Sequence, residues 1–150
     1  MRVVIQRVSE ASVSIDSEVK SKIKKGVLIL LGIEEADSRE DIEWLCGKIA
    51  RLRIFDDEAG IMNLSVMDIK GEILVVSQFT LHASTKKGNR PSYIKAARPE
   101  IAIPLYAEFI KELGNLTGIE IQTGEFGAMM NVSLINDGPV TILIDSKYKE

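Results

Sequence analysis

The run Ile73-Leu74-Val75-Val76 is the tightest constraint on what this chain can fold into. Four apolar residues in a row, three of them β-branched, follow the turn signal Lys70-Gly71. Such a run reads as a strand buried on both faces, with hydrogen-bonded neighbours at both edges. The segment then changes character without a break. Ser77, Gln78 and Thr80, with Phe79 among them, place two hydroxyls and an amide at the end of the same segment. Polar groups there find partners or cost roughly 1–3 kcal/mol each. Residue types alone leave two readings open. The groups cap the sheet by bonding to backbone, or they form a ligand site at a strand end, where function often sits.

The rest of the chain supplies neighbours for that strand. Residues 2–8 alternate as a strand, and Ala11 to Ile15 and Val19 to Ile23 flank Asp16-Ser17-Glu18 as a hairpin. Val27 to Ile33, entered through Lys24-Lys25-Gly26, is a second strand apolar on both faces. Ser38 with Asp41 forms a capping box for a helix whose Ile42, Leu45, Cys46, Ile49 and Leu52 share one face. Asp56 to Gly60 is a solvated acidic turn without the ligand register of a calcium loop. Met62 to Val66 is a short strand. His82 to Arg98 lacks apolar periodicity and reads as a long surface loop. Pro99-Glu100 leads a second helix to Leu116, with Pro104 expected in its first turn and Gly118 as its stop. Ile119 to Thr123 is a strand, and Gly124 to Gly127 turns around Phe126. Asn131 to Asp145 is expected to be two strands folded about Asp137-Gly138 as a hairpin. The pattern is α+β: one domain over residues 1–150, a β-rich, barrel-like antiparallel or mixed sheet with two covering helices.

Composition narrows the function. One cysteine, Cys46, makes no internal disulfide and suits the cytoplasm. One histidine, His82, and one cysteine exclude a zinc site, and no metal is expected. The longest apolar run, Val27 to Ile33, is too short for a membrane span. Net charge is −3, against a general nucleic-acid binder, but it is unevenly spread. Leu81 to Pro99 carries Lys86, Lys87, Arg90, Lys95 and Arg98 and no acid, which leaves the remaining residues at −8. A Ser-His-Asp triad would need His82 as its base. In an extended strand Thr80 and His82 share a face, so a Thr–His contact is one reading. Paired carboxylates at adjacent strand ends are absent. An enzyme built this way works by placing its substrate and stabilising charge.

Ser77-Gln78-Phe79-Thr80-Leu81, together with Asn136-Asp137-Gly138-Pro139-Val140-Thr141, resembles the D-aminoacyl-tRNA deacylase family. Met1 to Val8, Leu52-Arg53-Ile54-Phe55, Met62 to Ser65 and Gly124 to Ala128 match as well, so the likeness spans the chain. The resemblance implies a barrel-like body assembled as a homodimer, with active sites at the subunit interface and no cofactor. It implies hydrolysis of the ester joining a D-amino acid to the 3′-terminal adenosine of tRNA, and leaves glycyl-tRNA open as a second substrate. Ser77, Gln78, Phe79 and Thr80 become the catalytic group. The amides around Gln78, Phe79 and Thr80 are candidate oxyanion donors. The reacting group is either the Thr80 hydroxyl or water aided by the RNA's own 2′-hydroxyl.

Gly138-Pro139 is expected to be cis and to reach into the partner's site. There its rigid carbonyls accept a D-substrate's ammonium and leave no room for an L side chain. Arg7 is expected to hold this loop by its carbonyls. Phe126 is matched to stacking on the terminal adenine, with Met130 in the same pocket. The chain departs from the family at Met129 and Asn131, where an acid and a glutamine are common, and at His82, where many members carry tyrosine. A non-catalytic module that binds the tRNA acceptor end is the alternative from another class. A dimerisation scaffold whose polar strand ends are only caps is a third.

Overall fold

The structure, a computed structural model, describes residues 1–150. Strand β6 (Glu72–Ser77) lies inside a six-stranded sheet, and Ile73 to Val76 are all buried. Its neighbour is the other wholly apolar run, β3 (Gly26–Gly32), paired parallel with Leu31 opposite Ser77. Parallel neighbours need a crossover. Helix α1 (Arg39–Arg51) and the short antiparallel pair β4 (Phe55–Asp56) and β5 (Met62–Leu64) supply it. A second crossover, helix α2 (Pro99–Thr117), leads to β7 (Ile121–Thr123), also parallel to β6. The sheet is therefore mixed.

Strand β1 (Arg2–Ile15) is a single 14-residue strand rather than two. Along one edge it pairs with β3 and then with β2 (Glu18–Ile23). Along the other edge it pairs with β8 (Asn131–Asp145) over nearly its whole length. The sheet curls until its outer members meet, where the Ser21 hydroxyl on β2 donates to the Thr123 carbonyl on β7 at 2.7 Å. Alternation then sorts side chains to two cores. Val27, Ile29 and Leu31 face the larger one, under the helices, with Leu45, Phe109 and Leu113. Leu28, Leu74 and Val76 face the smaller one, inside the curl, with Val8, Val13 and Ile23.

The helix ends follow their local chemistry. The Asp41 carboxylate accepts the Ser38 amide at 2.8 Å, which closes the N-terminus of α1. Gly118 ends α2 at φ 67°, a left-handed position that glycine takes without a Cβ penalty. No helix is long and apolar enough to cross a membrane.

Three further expectations are corrected. Pro104 is not in the first turn of α2. The helix begins at Pro99, so Pro104 sits in its second turn, where the missing amide leaves the Glu100 carbonyl to solvent on an exposed face. Asn131 to Asp145 is not a hairpin. Both arms of β8 run antiparallel to the same β1, with Asn136 opposite Val8 and Thr141 opposite Gln6, so residues 137–140 bulge against Arg7 alone. Asp-Gly signals only a tolerance for positive φ, which Gly138 uses at 136°. The long edge of β1 decides that the chain continues instead of reversing. Finally, the strand that contains Ser77 stops there, and Phe79–His82 is a 3-10 turn.

Candidate functional site

The polar strand end is built by loss of a partner. Gln78 makes the last bond to β3, its amide donating to the Leu31 carbonyl at 2.8 Å. Beyond it there is no ladder to extend, and the chain tightens into the 3-10 turn. The Leu81 amide returns to the Gln78 carbonyl at 3.2 Å, and the Ala83 amide to the Thr80 carbonyl at 3.0 Å. Arg2 pins the turn from β1 by donating to the Leu81 carbonyl at 2.7 Å. The turn's own bonds leave the amides of Phe79 and Thr80, its first two, without an acceptor inside it. The start of a short helix orphans its leading donors in this way. Of the three amides expected as oxyanion donors, that of Gln78 is already committed. Gln78 contributes its side chain instead, whose Nε2 donates to Thr80 Oγ1 at 2.5 Å.

The 3-10 geometry also removes the Thr–His contact. Residues two apart in a strand share a face, but in a three-residue turn they point about 120° apart. His82 is turned inward and only 4% exposed. Its Nδ1 lies 3.8 Å from the Glu34 carboxylate, and its Nε2 has no partner. Thr80 therefore has no histidine, carboxylate or amine hydrogen-bonded to its hydroxyl.

Ser77, Gln78 and Phe79 open onto a pocket of about 70 Å³, walled by Leu31, Ile33 and Phe126. Phe126 is held edge-on by Tyr106, ring centroids 5.7 Å apart. The Tyr106 hydroxyl is anchored in turn, donating to the Val75 carbonyl of β6 at 3.1 Å, and burial pushes its pKa up to about 12. Phe79 is 56% exposed and meets Tyr93 edge-on at 5.1 Å. Met130 does not join this pocket. It packs on the smaller core with its sulfur against Gly124, while Phe126 packs on the larger one. Larger hollows, about 470 Å³ beside Trp44 and about 720 Å³ beside Ile94, do not include the strand end, so volume alone does not locate the site. No cluster of three or more potential metal ligands exists.

The second marked segment is equally organised. The Gly138–Pro139 peptide is cis. Arg7, the β1 residue opposite the bulge, is only 8% exposed, unusual for an arginine. Its Nε donates to the Asp137 carbonyl at 3.0 Å and its Nη1 to the Ile54 carbonyl at 2.7 Å. The carboxylates of Asp56 and Asp137 lie 3.5 Å from the guanidinium. The Asn136 amide donates across the neck of the bulge to the carbonyls of Arg7 at 3.0 Å and Val140 at 2.9 Å.

One chain does not bring the two segments together. Arg7 is level with Val27 of β3, and Val27 with Ile73 at the start of β6, whereas Ser77 ends β6. Four residues of strand separate the levels by about 13 Å. The bulge also lies three strands away from β6, across β1 and β3.

Comparison with known proteins gives this arrangement its context. The family model described as D-Tyr-tRNA(Tyr) deacylase matches residues 4–145. The chain belongs to this family. Its relatives include a D-aminoacyl-tRNA deacylase of Bacteroides fragilis strain YCH46, 70% identical over 150 residues, and one of Flavobacterium psychrophilum, 68% identical over 150 residues. Both matches cover 100% of each chain. Among solved structures, one titled c-Myc DNA Unwinding Element Binding Protein superposes with TM-score 0.92 at 44% identity, covering 97% of this chain and 98% of that one. A probable eukaryotic D-amino acid tRNA deacylase shares the fold, with TM-score 0.81 at 16% identity over 95% of this chain and 97% of that one.

Within this D-Tyr-tRNA(Tyr) deacylase family member, three residues that shape the two segments carry little signal in the sequence. Ile54 supplies a carbonyl to Arg7, a main-chain role that leaves no mark on residue type. Asn136 closes the bulge through its side-chain amide, for which its place beside Asp-Gly is the available signal. Tyr93 sits in the basic loop, where a lone aromatic is the available signal.

Proposed function

We propose that this protein hydrolyses the ester of D-aminoacyl-tRNA, releasing the D-amino acid and tRNA, as a homodimer in the cytoplasm. The observation that carries the reading is the pair of leading amides, Phe79 and Thr80, of the 3-10 turn that begins at a small pocket lined by Ser77, Gln78 and Phe79, with no base hydrogen-bonded to the Thr80 hydroxyl. An aminoacyl ester is already activated. Water adds to its carbonyl carbon, the carbonyl oxygen becomes an oxyanion, and the two amides donate to it. The C–O bond to the ribose then breaks, and the 3′-oxygen leaves with a proton. The Thr80 hydroxyl, accepting from Gln78 and lacking a base, positions the ester or the water. That state favours help from the vicinal ribose 2′-hydroxyl over attack by Thr80. The reaction draws on no metal or cofactor. Phe126, braced by Tyr106, takes the terminal adenine.

Chirality is read by the Gly138-Pro139 bulge of a second copy. The distance between bulge and strand end within one chain supports this, as does the exposed outer edge of β8 with Ile135 and Leu143. The loop's carbonyls accept the substrate ammonium only when the side chain points away, as in a D-amino acid, and Arg7 keeps them rigid. Lys86, Lys87, Arg90, Lys95 and Arg98 meet phosphates, so affinity for tRNA falls steeply with added salt.

Matched D- and L-tyrosyl-tRNA test the reading. Loss of the D-ester alone supports it. Binding without loss would identify an acceptor-end binding module, and neither binding nor loss a scaffold.

A further inference from the structure

The loop between the 3-10 turn and α2 is held in shape. Ser84 and Ser92 exchange two backbone bonds at 2.8 and 2.9 Å. The Ala96 amide returns to the Tyr93 carbonyl at 3.0 Å, and the Ala97 amide reaches the carbonyl of Ile33, the residue after β3, at 2.9 Å. The turn so fixed displays Tyr93, 40% exposed, and Ile94, 87% exposed. The Tyr93 hydroxyl bonds to nothing in the chain, so polarity does not explain its place. Its ring packs on Phe79, which lines the strand-end pocket. An apolar surface therefore runs outward from the pocket, through Phe79 and Tyr93, to Ile94. Arg98 lines the same groove, Lys95 follows Ile94 in the chain, and no acid occurs between Leu81 and Pro99. Of the two acids nearest in the groove, Glu35 and Glu100, the first is engaged by the Arg98 amide at 3.2 Å. Aromatic faces among cations are how proteins hold unpaired nucleotides, through base stacking and phosphate neutralisation.

We propose that Tyr93, backed by Phe79 and flanked by Ile94, is the stacking platform for the unpaired base that precedes the terminal nucleotide of the bound RNA. The inference rests on the terminal adenosine occupying the strand-end pocket. It adds a subsite that is blind to the amino acid and reads the single-stranded end.

The test is a two-by-two cycle. D-tyrosyl minihelix RNA ending in CCA is compared with a copy whose penultimate nucleotide is abasic, each with the parent protein and with Tyr93→Ser. Removing the base should lower kcat/KM about tenfold in the parent, within the range of base–aromatic stacking. Tyr93→Ser should cost a similar factor on intact RNA and nothing further on abasic RNA. Tyr93→Trp should keep the parent's sensitivity to the base. Equal loss on both RNAs would make Tyr93 a support for Phe79 only, and no loss on either would dispense with it. Both outcomes overturn the inference. If the parent cleaves neither RNA, the deacylase reading fails by itself. The same four comparisons, followed by anisotropy with uncharged RNA, then decide the stacking claim.

Discussion

Gly138→Ala is the most demanding test of the bulge, because its consequences can be worked from the backbone. Gly138 sits at φ 136°, a region that residues with a Cβ rarely enter. An alanine Cβ there would lie 2.8 Å from Val140 Cγ2, 3.0 Å from the Val140 amide nitrogen and 3.2 Å from Arg7 Nη2. The valine methyl can rotate away, and the guanidinium can give slightly. The amide nitrogen belongs to the bulge itself and moves only if the bulge does. Backbone strain of this kind costs roughly 1–3 kcal/mol. The domain stays folded, since total stabilities run at about 5–15 kcal/mol. At a urea m-value of about 2 kcal/mol/M, the midpoint should fall by roughly 0.5–1.5 M. The bulge should shift by a few tenths of an ångström against Arg7, and with it the carbonyls proposed to read chirality. We expect slower cleavage of D-tyrosyl-tRNA, new cleavage of L-tyrosyl-tRNA, or both. Adding Val140→Ala should restore part of the stability, because it relieves the methyl clash and leaves φ strained. A urea midpoint unchanged within 0.2 M, with both cleavage rates unaltered, would refute the claim that this backbone position is constrained and selective.

Thr80→Val should lower kcat about tenfold and Thr80→Ser much less, if the hydroxyl only positions; a loss beyond a thousandfold in single-turnover assays would restore it as nucleophile. Arg7→Met removes the donors to the Asp137 and Ile54 carbonyls and should cost roughly 2–4 kcal/mol in urea unfolding. Arg7→Lys should recover only part of that, because a single ammonium does not reproduce the planar fork. Asp41 gives a pH dependence. Burial pushes its carboxyl up, but hydrogen bonds from Lys147, Ser146 and the Ser38 amide outweigh it and hold the group well below the usual carboxylate range. The folded pKa is depressed, so this stabilisation is complete above the unfolded value of about 3.9 and fades as pH falls below it. Asp41→Asn should lower the urea midpoint at pH 6 and flatten its decline between pH 4 and 2; an unchanged acid limb would remove Asp41 from that role.

Much of the architecture was written locally. Ile73 to Val76 and Val27 to Leu31 can only be strands covered on both faces, and two such runs in one small domain become central neighbours. Ser38 with Asp41 marked the start of α1, and Gly118 the end of α2. The two segments proposed as functional also stand out in the sequence, because polar residues at the close of an apolar strand and a Gly-Pro step within one are uncommon there. The tertiary structure decided how those residues are placed and paired. Gln78 spends its amide on Leu31 because β3 reaches that far and no farther, which leaves Phe79 and Thr80 as the leading donors of the 3-10 turn and turns His82 inward. Asp137-Gly138 bulges instead of reversing because β1 offers fourteen residues of edge to both arms of β8. Arg7 is buried because Ile54 and Asp137 present carbonyls to it from distant parts of the chain. Met130 and Phe126, four residues apart, part to opposite sides of the sheet. Local sequence records which dihedrals and which degree of burial each residue tolerates. Where a strand ends, and which donor is left without a partner, depends on the length of the neighbouring strand, which is encoded elsewhere in the chain.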